Sequence, residues 1–180
     1  MGVALFAFAR LLLVFSPLID LKPTSRPPRR AFLLGIQWRR ESREQAEDLL
    51  DELAQLVDTL GLEIVGRRLL RVERAQPRFL VGSGQAEETA ERALAQKAEV
   101  LIFDDPISPG QQRNWEKFRK LAVIDREEVI LDIFARRART SEGKLQVELA
   151  QLKYLLPRLR GMWKHLERQE GGIGTRGPGE

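Results

Sequence analysis

The chain has 180 residues, 43% hydrophobic and 31% charged, the composition of a globular protein with one core and room for an appendage. It has no cysteine and one histidine, which removes disulfides and thiolate metal sites and leaves little for a zinc site or a histidine-based triad. The net charge of +4 is modest, but it is unevenly distributed along the chain.

Residues 3–15 are almost wholly apolar, interrupted by Arg10. The run is short for a membrane span of ~20 residues and lacks the basic start and cleavage site of a signal peptide. A packed or frayed helix, or residues added by an upstream start, accounts for it better than insertion, so no membrane partner is expected. Residues 23–30, Pro-Thr-Ser-Arg-Pro-Pro-Arg-Arg, read as a linker that closes the extension 1–30.

An α/β unit is expected over residues 31–126. Residues 31–38 form an apolar run suited to a buried strand. Ser42 with Gln45 predicts a capping box. The helix that follows carries Ala46, Leu49, Leu50, Leu53, Leu56, Val57 and Leu60 on one face and stops at Gly61. A strand is expected over 62–72, with Arg67 and Arg68 near an edge. The short run 78–81 is either a hairpin partner or the approach to the turn Gly82-Ser83-Gly84. A helix with Ala86, Ala90, Ala93 and Leu94 comes next, then a central strand over 100–103 ending at Asp104-Asp105. Ser108-Pro109 opens another helix. A last strand spans 121–124, closed by Asp125-Arg126. Strands alternating with helices imply a small, mostly parallel sheet flanked by helices.

From Glu127 to about Arg168 the pattern is helical, a long arm over 127–169. Thr140-Ser141 offers a cap for a second helix within it, and Pro157 predicts a kink near Leu155. Leu145, Leu149, Leu152, Leu156, Leu159, Trp163 and Leu166 are spaced alternately by four and three, the seam of a helix packing along another helix. Burying such side chains gains about 1.5–3 kcal/mol each, so the seam is expected to have a partner. Between Arg136 and Arg168 there are nine basic residues against three acids, Glu142, Glu148 and Glu167. That excess is the footprint of a polyanion, or else a solvated face with arginine stems lying on apolar surface. The tail 170–180 is glycine-rich. It is either a flexible linker or a loop whose bare backbone approaches RNA with Arg176 and Thr175 as contacts.

Other chemistry is thin. The P-loop string G-x-x-x-x-G-K-[ST] does not occur. Gly82 and Gly84 could cradle a phosphate at a helix start, and Asp104 stands about twenty residues on, where a ribose-binding acid would sit. Glu87 replaces the third glycine of that fingerprint, and a tight strand-to-helix turn explains the glycines equally. Asp104-Asp105 could hold Mg²⁺ or cap the following turn. His165 reads as a helix-surface residue beside Trp163.

Several strings together resemble the N-terminal region of the HflX family of ribosome-associated GTPases. They are Leu101-Ile102-Phe103-Asp104-Asp105, Gln111-Gln112-Arg113-Asn114, Val123-Ile124-Asp125-Arg126, Ile130-Leu131-Asp132-Ile133-Phe134-Ala135, Gln146-Val147-Glu148-Leu149-Ala150-Gln151-Leu152, Leu156-Pro157-Arg158-Leu159 and the tail. The resemblance runs from Phe32 to Glu180. One departure is Gln85, where the family usually has lysine. The resemblance implies an α/β subdomain, then half of an antiparallel helical pair. The second helix and a GTPase domain, with GTP and Mg²⁺ as its cofactors, would follow outside this chain. It also implies a cytoplasmic protein that binds ribosomal RNA of the large (50S) subunit and splits or rescues ribosomes under stress. The implied RNA contacts are Arg158, Trp163, His165, Gly171, Gly172, Gly174, Thr175, Arg176, Gly177 and Pro178. Two other readings stand beside this one: a nucleotide-binding α/β domain using Gly82, Gly84 and Asp104, and a helical protein-interaction module.

Overall fold

The computed structural model describes residues 30–119 and 121–170, apart from the side chains of 118, 119 and 160–170. Strand β1 (Arg30–Trp38) is buried on both faces because Ala31 to Ile36 offers apolar groups to each side in turn. Ala31 and Leu33 enter one core, while Phe32, Leu34 and Ile36 enter the other. Strands β2 (Glu63–Val72), β3 (Val100–Phe103) and β4 (Ala122–Asp125) join it in a parallel sheet of order β2-β1-β3-β4. The expected α/β class with a parallel sheet is observed, and Arg67 and Arg68 do lie on an edge strand.

Helix α1 (Arg43–Thr59) starts as its sequence predicts. Ser42 Oγ accepts from the Gln45 N–H and Gln45 Oε1 accepts from the Ser42 N–H, both at 3.1 Å. Gly61 takes φ +72° at its far end, where a Cβ would be strained. Helices α2 (Ser83–Ala95) and α3 (Pro109–Arg119) follow β2 and β3, and α4 (Arg126–Arg137) follows β4. Helices α1 and α4 cover one face with Leu50, Leu53, Val57, Val129 and Ile133. The other face is covered by Ala86, Ala90 and Ala93 of α2 and Trp115 of α3.

One bulge interrupts the β1–β2 pairing. The β1–β2 register shifts at Ala31/Phe32, so Val65 is an extra residue on β2. The shift re-phases the strand: Leu69 then faces α1, whereas Leu70 and Val72 face α2. At Gly66 an added Cβ would come within 2.8 Å of the buried Phe32 ring.

The run 78–81 does not enter the sheet. Isolated antiparallel bridges, Gln76 with Leu80 and Phe79 with Val81, fold it into a tight approach to the glycine turn, with Leu80 at φ 69°. The 127–168 stretch is two helices among the described residues. Helix α4 ends at Arg137, and α5 (Ser141–Glu170) begins after Thr140, whose Oγ1 accepts from the Gly143 N–H at 3.0 Å. Among the sequence options, the new cap at Thr140-Ser141 is the one taken. Helix α5 runs through Pro157. No described helix is long and apolar enough to cross a membrane. The apolar run at 3–15 and the linker at 23–30 lie outside the described residues.

Candidate nucleic-acid interface

Helix α5 is two-faced. One face turns inward, with Tyr154 buried and Val147, Gln151, Leu155 and Arg158 half-buried against α3 and α4. The seam occupies the opposite face. Leu145, Leu149, Leu152 and Leu156 are 66%, 53%, 40% and 49% exposed. Phe134 on α4 is exposed as well. The side chains of Trp163 and Leu166, at the end of the seam, lie outside the described set.

The cations of this region divide into two groups. Arg137, Arg139, Lys144 and Lys153 are exposed. Arg136 turns back, donating from Nη1 to the Leu60 carbonyl at 2.9 Å. Arg158, one of the RNA contacts the resemblance implies, points inward. Its Nε donates to Gln112 Oε1 at 3.0 Å, Nη1 to the Tyr154 carbonyl at 3.0 Å, and Nη2 to the Ile107 carbonyl at 3.3 Å and Asp125 Oδ2 at 3.0 Å. The guanidinium stacks on the Tyr154 ring, 3.4 Å from its centroid. A side chain so committed has little left to offer a phosphate.

Asp125 is the hub of that network. It is fully buried, and it caps α4 by accepting from the Glu128 N–H at 3.2 Å. The Ile107 N–H and the Tyr154 hydroxyl donate to it as well. Tyr154 reaches Glu128 Oε2 too, at 3.1 Å. Burial first, then the carboxylates of Glu128 and Asp125, pushes the tyrosine pKa far up, so the hydroxyl stays a donor. Gln112 completes the set by donating to the Val123 carbonyl at 2.7 Å. Sequence reading missed this network because its members are separated by tens of residues. The one local signal was an acid at a strand end directly before a helix.

The glutamine-rich string of α3 also turns out to be structural. Gln111 Nε2 donates to the Gln76 carbonyl and Asn114 Nδ2 to the Arg78 carbonyl, pinning the 76–81 turn. Trp115, fully buried, donates to the Phe79 carbonyl at 2.9 Å and meets the Phe79 and Phe103 rings edge-on.

The nucleotide candidates do not converge. Gly82 and Gly84 lie at the start of α2, and Gly82 borders an open hollow of about 290 Å³ with Arg71, Arg74 and Gln76. Asp104 is paired instead with Arg126 Nε, at the start of α4, at 2.8 Å. Burial outweighs that arginine and pushes the Asp104 carboxyl up to about 6. Asp105 accepts from Trp38 Nε1 at 2.7 Å. Strand order reverses between β1 and β3, and their carboxyl ends would form the usual ligand crevice of such a sheet. Here the Trp38–Asp105 and Asp104–Arg126 pairs stand at those ends. Gln85 serves the turn: its Oε1 accepts from the Gly82 N–H at 3.2 Å, closing the helix start from within. Among the described residues no three His, Cys, Asp or Glu side chains gather as a metal site.

Trp163 and His165 lie on the last turns of α5, with their side chains outside the described set. Gly171, Gly172, Gly174, Thr175, Arg176, Gly177 and Pro178 lie outside the described residues altogether.

Comparison with known proteins gives this arrangement a family. Residues 47–135 match the family model "GTP-binding GTPase N-terminal", and residues 137–180 match "GTP-binding GTPase Middle Region". A GTPase HflX of Akkermansia muciniphila is 48% identical over 143 residues, covering 79% of this chain and 33% of that protein. The GTPase HflX of Escherichia coli is 53% identical over 135 residues, covering 73% of this chain and 31% of that protein. The chain belongs to the HflX family. It spans about a third of the length of these HflX relatives and corresponds to their N-terminal region. The fold recurs in the crystal structure of a GTP-binding protein from Sulfolobus solfataricus in complex with GDP, with a TM-score of 0.55 and 24% identity. That match covers 78% of this chain and 42% of the archaeal one. GTP and Mg²⁺ are implied for an HflX protein as a whole. The residues of this chain do not fit them: the P-loop string is missing from its sequence, and the two acids at the sheet's carboxyl end are paired with Trp38 and Arg126.

Proposed function

We propose that this chain is the RNA-docking region of a cytoplasmic HflX protein, and that it binds the large ribosomal subunit through its helical arm. One observation carries the reading: Arg137, Arg139 and Lys144 are exposed at the α4–α5 junction and Lys153 further along α5, whose inner face is anchored to the sheet unit through Arg158. A rigid arm holding cations in water gains affinity by releasing counterions from phosphate. The glycine-rich segment 171–180, with Arg176 as its cation, follows directly on this arm in the sequence and is the second part of the docking surface. GTP hydrolysis and ribosome splitting then belong to the protein as a whole, with this region supplying the address.

The test is binding of the 180-residue chain to isolated 50S subunits across a salt series. A steep linear fall of log affinity with log salt is expected. A flat series would reject phosphate docking. Arg176→Ala should weaken binding without moving the melting temperature.

The exposed leucine seam favours a second role alongside the first. Four large apolar side chains in a row on one helix call for a helical partner. The family resemblance supplies one, the second helix of an antiparallel pair. Light scattering of the chain alone tests for a substitute: concentration-dependent dimers are expected while the seam is uncovered.

A further inference from the structure

Among the described residues, a polar cluster centred on Arg158 and Tyr154 ties helix α5 to the sheet unit. The inner face of α5 otherwise offers Val147, Gln151 and Leu155, which are only half-buried. At Arg158, three separate pieces of the sheet unit come together: Ile107 in the β3–α3 loop, Gln112 on α3 and Asp125 at the end of β4. Arg158 holds all three through one planar fork while stacking on Tyr154, one turn back on its own helix. Tyr154 in turn donates to Asp125 and Glu128. The Arg158 side chain is 15% exposed and its partner Asp125 is not exposed at all, so water has little access to this contact. Pro157, directly before it, cannot donate to the Lys153 carbonyl, which weakens the helix at this level. The latch therefore sits where α5 bends most easily.

We infer that Arg158 is a positioning residue: it locks the angle of α5 against the sheet and so sets where the exposed cations of that helix, Lys144 and Lys153, stand, without touching RNA itself. The guanidinium fork suits this role and lysine does not, because one ammonium cannot span Gln112, Ile107 and Asp125 in a fixed plane. The angle claim stands on the structure alone. The claim about RNA rests on the proposed function.

The chain has no cysteine, so two introduced ones report a single distance. Asp58→Cys on α1 and Leu156→Cys on α5 are both at exposed positions and take spin labels. With Arg158 intact, one narrow distance distribution is expected. Arg158→Ala should broaden it at least twofold while circular dichroism keeps the sheet and helix content. If Arg158→Ala aggregates, Arg158→Lys carries the same test with a smaller broadening. A distribution that stays narrow in the variant overturns the latch.

The second readout is the salt series with 50S subunits. A residue that only positions the arm should lower affinity several-fold and leave the salt slope unchanged. A residue that contacts phosphate should make the slope shallower by about one unit. A shallower slope for Arg158→Ala overturns the positioning role. If the unsubstituted chain fails to bind subunits at all, the proposed function falls, and the distance measurement still decides the latch.

Discussion

At the scale of single residues, buried polar groups explain more of this molecule than its exposed charges. Surface pairs such as Arg43–Glu47 stand in water and contribute little to stability. Removing one partner of a buried pair such as Arg158–Asp125 typically costs about 3–5 kcal/mol, because the other charge is stranded. Asp104 gives a pH signature. In the unfolded chain it titrates near the ordinary 3.8, and in the folded protein burial raises it to about 6. Between those values the folded state holds a proton that the unfolded state has released. Stability from this group is therefore highest below about pH 4 and falls as pH rises through 6, by on the order of 1–3 kcal/mol. Asp104→Asn should flatten that fall. Melting temperatures of both proteins between pH 4 and 7 check it, and parallel curves would show that Asp104 does not carry the effect.

At the scale of elements, α5 differs from the four helices packed on the sheet. Its leucine seam is exposed, so polar substitutions there should leave the fold intact. Leu149→Gln with Leu156→Gln is expected to shift unfolding free energy by less than about 1 kcal/mol. Leu53→Ala on α1, whose side chain is 0% exposed, should cost about 2–5 kcal/mol. Denaturant titration separates the two, and a seam variant as costly as Leu53→Ala would show that this chain covers its own leucines. The helix ends were legible in the sequence wherever a local cap was written. The Ser42/Gln45 box, Gly61 and Ser108-Pro109 involve groups within four residues of one another. The β2 bulge was not legible, since neither Val65 nor Gly66 announces which of two apolar neighbours will be squeezed out of register.

At the scale of the whole molecule, the acids of α1 contrast with the cations of the α4–α5 junction. Helix α1 carries Glu44, Glu47, Asp48, Asp51, Glu52 and Asp58, while Arg137, Arg139 and Lys144 stand exposed at the α4–α5 junction. Such an asymmetry orients a protein approaching a polyanion before any contact forms. Arg137→Glu with Arg139→Glu should weaken binding to 50S subunits more than tenfold and make the salt slope shallower by about two units. An unchanged slope would move the interface away from this junction.

The sequence by itself determined the alternation of strands and helices, the parallel sheet, the helix starts and the apolar seam. Each of these follows from residue spacing or from caps formed by near neighbours. Its motif strings also pointed to the HflX family, and the matches to known proteins agree. Which polar residues meet was decided only by the tertiary structure. At the sheet's carboxyl end Trp38 pairs with Asp105 and Asp104 with Arg126, and Arg158 is drawn inward to Asp125. Those contacts join residues 22 to 67 positions apart. No local pattern encodes them, because a buried charge is paired by whatever the folded chain brings within hydrogen-bond reach.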